Sequence, residues 1–183
     1  MPSVQDACCG ISGVLRVRLP GGFDERGAFF ELFRLGWLPE VFDSEVQVNC
    51  SISERNALRG LHFHRRQADL WFACSGRVRA ALVDVRAGAP GFGRGEMLDL
   101  DGSRPEGLLI PPGVAHGYLA LERSCIIYVV SRFYDGSDEQ GIAWDDPDLG
   151  LEWGCENPIL SGRDRSNPPL KSLSAPPVES GAR

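Results

Sequence analysis

The 183-residue sequence predicts an all-β protein, a sandwich or barrel of antiparallel strands. Short runs rich in branched and aromatic residues recur along the chain, Gly, Pro and Asp punctuate them closely, and helical patterning is confined to two brief stretches. Residues 14–19 alternate and then break at Pro20-Gly21-Gly22. Residues 33–42 carry the first helical pattern. Residues 46–52 put Gln47, Asn49 and Ser51 on one strand face and apolar side chains on the other. The run Leu58-Arg59-Gly60-Leu61-His62-Phe63-His64 turns His62 and His64 to a common face, because the strand period is two. Further strands are expected at residues 69–74, 77–85, 96–100, 107–110, 117–121 and 125–131, and a second helical turn near Asp146-Pro147-Asp148-Leu149.

Residues 1–12 read as an N-terminal extension and residues 13–165 as one domain, with 43% hydrophobic content sufficient for a single core. Residues 166–183 are polar, proline-rich and without periodicity, so a loosely held tail is expected. Twenty-five acids against nineteen bases give a net charge of −6, which argues against nucleic acid or an anionic membrane as the main partner but leaves room for a local basic pocket. The six cysteines, Cys8, Cys9, Cys50, Cys74, Cys125 and Cys155, show no CxxC spacing and are expected as buried, reduced thiols. No segment approaches the roughly 18 apolar residues of a spanning helix, and the first ten residues lack the pattern of a secretion signal, so a cytoplasmic protein is expected.

Chemistry concentrates at the only three histidines, His62, His64 and His116, with Asp69 following the first pair and Pro111-Pro112-Gly113-Val114-Ala115 leading into the third. Three imidazoles and a carboxylate suit either a divalent metal or acid–base catalysis. From these residues alone both chemistries stay open.

Several further motifs occur in order. They are Asp24-Glu25-Arg26-Gly27-Ala28-Phe29-Phe30-Glu31, Gln47-Val48-Asn49-Cys50-Ser51-Ile52-Ser53, Leu58-Arg59-Gly60-Leu61-His62-Phe63, Val83-Asp84-Val85-Arg86, Ile110-Pro111-Pro112-Gly113-Val114-Ala115-His116-Gly117 and Ile159-Leu160-Ser161-Gly162-Arg163-Asp164. Together, over roughly residues 13–170, the chain resembles the dTDP-4-dehydrorhamnose 3,5-epimerase family of cupins. The resemblance implies a cupin jelly-roll β-barrel, or double-stranded β-helix, with short peripheral helices. It also implies a homodimer, for which residues 14–19 would supply a strand across the interface, and action without a metal cofactor on a dTDP-linked 4-keto-6-deoxyhexose at C3, C5 or both. By the same resemblance His62 is the base that removes the proton beside the C4 ketone, Asp164 orients it, and Tyr128 returns a proton from the opposite face. Arg26 and Arg59 would meet the pyrophosphate, Glu31, Gln47, Asn49 and His116 the sugar or nucleobase, and Phe29 and Tyr134 would stack on the ligand. Strict alternation sets Arg59 and His62 on opposite faces, so both reach one pocket only if Gly60 introduces a bulge.

The chain also departs from the family. Asp69 stands where the family carries a lysine near the developing oxyanion, and Ala80 replaces an acidic residue on the next strand. A carboxylate beside an enolate would destabilise it by like-charge repulsion. The same departures give His62, His64, Asp69 and His116 a spacing similar to the metal ligands of cupins in general, suited to Fe, Mn, Ni or Zn. A bound cation would then stand in for the lysine, in a metal-dependent isomerase, lyase or oxygenase acting on a related nucleotide sugar. The two uses compete for His62, and a third reading is a nucleotide-sugar-binding module without turnover.

Overall fold

The computed structural model describes residues 2–7, 10–104 and 106–173. Thirteen strands are formed among them: β1 (Ser3–Asp6), β2 (Leu15–Arg18), β3 (Gly21–Asp24), β4 (Gly27–Phe30), β5 (Gln47–Ser53), β6 (Leu58–Phe63), β7 (Asp69–Ser75), β8 (Arg77–Asp84), β9 (Gly95–Asp101), β10 (Glu106–Ile110), β11 (Val114–Ala120), β12 (Ser124–Val130) and β13 (Gln140–Gly141). One sheet has the order β1-β2-β10-β7-β12-β5, the second β13-β6-β11-β8-β9, and β3-β4 stands apart as a hairpin. The pairs within these sheets are antiparallel, and the two larger sheets face each other as the expected jelly roll.

Alternation explains the three apolar layers. Trp71, Leu108, Ile110 and Ile126 of the first sheet meet Val78, Ala80, Leu82 and Tyr118 of the second between the sheets. Leu61, Phe63, Val83, Ala115 and Leu119 turn the other way and are covered by Ile142, Leu149, Trp153 and Leu170. On the far side, Val17, Leu70, Phe72, Leu109 and Val129 pack under Leu38 and Phe42. With both faces covered, β11 is buried along its whole length. Its seven residues therefore offer positions that water reaches only from inside the barrel.

Several expectations are corrected. Residues 33–42 form consecutive turns instead of a helix, because Gly36 adopts φ 96° and Pro39 follows three residues later; Leu38 and Phe42 nonetheless reach the core. On β5, where alternation left the inward face open, Gln47, Asn49 and Ser51 face the barrel interior and the apolar side chains point outward, with Val48 and Ile52 exposed. Residues 14–19 are unavailable to pair across an interface, since β2 is already bonded to β1 on one side and β10 on the other. The N-terminal extension thus contributes an edge strand. The described free cysteines are not buried: Cys50 and Cys74 are exposed, and Cys125 and Cys155 half-buried, while Cys8 and Cys9 lie outside the described residues.

The short helix α1 (Gly162–Ser166) was not anticipated, and the turn near residue 147 is a 3-10 helix, Pro147–Leu149. Residues 166–173 of the expected tail pack on the barrel, where Leu170 is buried and its backbone N–H donates to the Asp146 carboxylate at 2.7 Å. Residues 174–183 lie outside the described residues. No helix among the described residues is long and apolar enough to cross a membrane.

Candidate active site

A cavity of about 390 Å³ opens between the two sheets, a volume within the range of small-molecule sites. Alternation delivers its lining: Asp69 and Trp71 from β7, His116 and Tyr118 from β11, Tyr128 and Val130 from β12, and Gln47, Asn49 and Ser51 from β5. His116 is paired directly with His62, and Tyr128 with Trp71.

Arg59 and His62 share this cavity because β6 is bulged. Between the pairs Tyr118 with Arg59 and His116 with His62, β6 spends one residue more than β11. Gly60 occupies the bulge at φ 128°, beside a cis Gly60–Leu61 peptide, and a Cβ there would fall 2.6 Å from the Gly117 Cα. Arg59 Nε donates to Ser53 Oγ at 3.0 Å, and the hydroxyls of Ser51 and Ser53 each lie 2.9 Å from that of Tyr118.

His62 Nε2 lies 2.6 Å from Asp164 Oδ1. Ser161 caps α1 by accepting the Asp164 N–H at 3.1 Å, which fixes the start of the helix and the direction of the carboxylate. Burial alone would raise the Asp164 pKa, but the hydrogen bond and charge of His62, with bonds from Ser161 and the Gly60 N–H, hold it below the usual carboxylate range. An ionised carboxylate only accepts, so Nε2 is the donor to it, and in the neutral imidazole the lone pair is then on Nδ1. Nδ1 lies 3.8 Å from Glu139 Oε1, and Glu139 is itself paired with Arg163.

Tyr128 sits on the opposite sheet, half-buried. Burial, then the charge of Asp69, raises its pKa and keeps the phenol protonated.

A second polar group lies deeper. His64, Asp69 and His116 are buried, with one ligand atom from each all within 4.8 Å of one another. His116 Nδ1 donates to Val114 O at 2.9 Å, and its Nε2 lies 3.5 Å from Asp69 Oδ2. Asp69 also accepts from Gln67 Nε2 at 2.8 Å and Trp71 Nε1 at 3.2 Å. Burial opposes the charge of both members of the Asp69–His116 pair, but their mutual hydrogen bond and attraction prevail, so Asp69 is shifted down and His116 up. Burial, then the charge of His116, pushes His64 down. The four-ligand set expected from spacing is therefore not assembled: three members converge, while His62 is turned to Asp164.

Of the residues singled out from sequence, His62, Tyr128, Asp164, Gln47, Asn49, Arg59, His64, Asp69, His116 and Tyr134 line the one cavity. Arg26, Phe29 and Glu31 do not. They sit on or just after the β3-β4 hairpin, where Arg26 is bound to Asp24, Glu31 to Arg34, and the Phe29 ring is 74% exposed. Sequence reasoning missed Trp71, Tyr118, Glu139 and Arg163. Strand parity with Asp69 and His116 marks the first two, and Arg163 adjoins Asp164 in a motif already noted; nothing local marks Glu139.

The barrel and its interior acid–base groups define the molecule as a cupin whose cavity can move protons. The family model for dTDP-4-dehydrorhamnose 3,5-epimerase matches residues 9–172, and the enzyme of that name from Methanothermobacter thermautotrophicus is 37% identical over 156 residues, covering 81% of this chain and 84% of the relative. The chain belongs to the dTDP-4-dehydrorhamnose 3,5-epimerase family. Among solved structures, the Legionella pneumophila epimerase in complex with dTDP-4-keto-L-rhamnose superposes with a TM-score of 0.87 at 30% identity, covering 96% of each chain. The 3'-monoepimerase ChmJ from Streptomyces bikiniensis, in complex with dTDP-quinovose, gives 0.82 at 32% identity, covering 88% of this chain and 86% of that one.

Proposed function

We propose that this isomerase epimerises a dTDP-linked 4-keto-6-deoxyhexose at C3, C5 or both, as a step in deoxysugar biosynthesis. The observation that carries the reading is the placement of His62 on one sheet, 2.6 Å from Asp164 of α1, and of Tyr128 on the facing sheet, all lining a single cavity. Inversion at carbon requires removal of a proton from one face and delivery to the other, so base and acid must stand on opposite walls.

His62 Nδ1 takes the proton α to the ketone, and the electron pair moves into the enolate. The imidazolium so formed is stabilised by Asp164 on Nε2 and by Glu139 near Nδ1. Tyr128 then gives its proton to the opposite face of the carbon, and exchange with solvent returns the proton from His62 and restores the phenol. Gln47, Asn49, Arg59 and Tyr134 supply hydrogen bonds, positive charge and a stacking face to the sugar and nucleotide.

Arg26, Phe29 and Glu31 fit the same reading through a homodimer. The exposed Phe23 and Phe29 of the hairpin and the outward Val48 and Ile52 of β5 are apolar surface that a second copy would cover. In such a dimer the hairpin residues serve the cavity of the other subunit.

Product stereochemistry tests the proposal. Incubation of dTDP-4-keto-6-deoxyglucose with the protein should yield a sugar whose ring-proton couplings report inversion at C3, C5 or both. Saturable binding with unchanged couplings would identify a binding module instead.

A further inference from the structure

We propose that Glu139 carries the proton abstracted by His62 out to solvent while the sugar still occupies the cavity; this role rests on the epimerase reading above and adds a relay residue to it. In that reading Nδ1 of His62 takes the proton, and the Nε2 side of the ring is closed by Asp164, whose side chain is only 5% exposed. Glu139 Oε1 lies 3.8 Å from Nδ1, and its Oε2 accepts from Arg163 Nη1. One carboxylate thus faces the ring with one oxygen and, with the other, a guanidinium that is 44% exposed. A separation of 3.8 Å is longer than a hydrogen bond, but such contacts are often long in an empty site and close when the ligand binds, or are spanned by one water.

The fold holds Glu139 in place from both sides. Gln140 and Gly141 form β13 and pair with Phe63 and His62 of β6, so the carboxylate sits at the end of the strand next to the ring. On the other flank the buried Asp138 accepts the backbone N–H groups of Arg65 and Arg66, both at 3.2 Å. The other carboxylates of the cavity are engaged elsewhere: Asp164 at Nε2, and Asp69 with Gln67, Trp71 and His116. Among the described residues, Glu139 is therefore the cavity carboxylate that faces the reacting nitrogen.

Proton removal leaves an imidazolium beside an enolate, and the ring then either returns the same proton or loses it. In the relay the Nδ1–H bond breaks as an O–H bond forms on Glu139 Oε1, giving neutral imidazole and a carboxylic acid. Water takes the proton from the acid and restores the carboxylate, and water supplies the proton that restores Tyr128, so no proton is gained or lost overall. A His62 reset in place can act again before the sugar leaves, which inversion at both C3 and C5 in one visit requires. A Glu139 that served only to anchor Arg163 would be replaced without loss by glutamine, whose side-chain oxygen also accepts.

The test incubates the native protein and Glu139→Gln with dTDP-4-keto-6-deoxyglucose in D₂O and stops at early conversion. Mass spectrometry and ¹H NMR then compare deuterium in the recovered substrate with the amount of inverted sugar. Deuterium enters the recovered substrate only if His62 loses the abstracted proton before returning it. The native protein should label the recovered substrate, and Glu139→Gln should lower the label per inverted molecule about tenfold or more. Loss of the Glu139 charge alone slows proton removal, and with it labelling and inversion together, while misfolded protein contributes to neither; the ratio therefore isolates the relay. An inverting native protein that leaves the recovered substrate unlabelled, or an unchanged ratio in Glu139→Gln, would overturn the relay alone. No deuterium in substrate or product would overturn the epimerase reading itself.

Discussion

In the proposed mechanism His62 and Tyr128 divide the chemistry between two walls, and their replacements should fail differently. His62→Asn should slow exchange of the ring proton about 10³-fold, because the other cavity imidazole on the sheet facing Tyr128, His116, is engaged by Asp69 at Nε2 and donates from Nδ1 to Val114 O. Tyr128→Phe should retain proton removal, seen as deuterium uptake without inversion, while lowering the yield of inverted sugar about 10²-fold. The raised pKa of Tyr128 also sets a pH limit: the folded phenol holds its proton above the ordinary tyrosine value of 10.0, so the alkaline loss of inversion should fall above that pH. The histidine cluster was legible because His62 and His64 share strand parity and are few in the chain. The roles were not separable there, since Asp164 lies 102 residues from His62 and decides which way that ring turns.

At the level of elements, the bulge in β6 is what lets Arg59 and His62 serve one cavity. The need for it was readable from parity, and Gly60 was the only residue of the motif able to supply it. Gly60→Ala should destabilise the fold by ~2–4 kcal/mol in denaturant unfolding, since its Cβ would meet backbone atoms of Gly117 and His116 at 2.6 and 2.9 Å. Strand β5 was recognised by alternation, but which face turned inward depends on the ligand cavity, and a rule that buries apolar residues assigns it wrongly. Helix α1 escaped notice because five residues carry too little periodicity. Its capping Ser161 and Asp164 were visible only as part of a motif.

For the whole molecule, the order of hydrophobic runs and turns was enough for an all-β sandwich, and the ordered motifs for its family. Closure of the barrel's outer face was less legible, because Leu170 follows two prolines in a stretch whose composition suggests a tail. Leu170→Ala should cost ~2–4 kcal/mol of stability in the same unfolding measurement, as removal of a buried leucine does elsewhere. Assembly was the least legible feature, since residues 14–19 occupy an interior position and the exposed aromatics lie on a separate hairpin. Sedimentation should find a dimer that Phe29→Asp shifts towards monomer. The central claim is that this barrel moves a carbon-bound proton, and ¹H NMR of dTDP-4-keto-6-deoxyglucose with the native protein in D₂O tests it most directly. Loss of the C3 or C5 proton signal, absent with His62→Asn, is the predicted result; retention of both signals while the native protein binds the nucleotide sugar would contradict it.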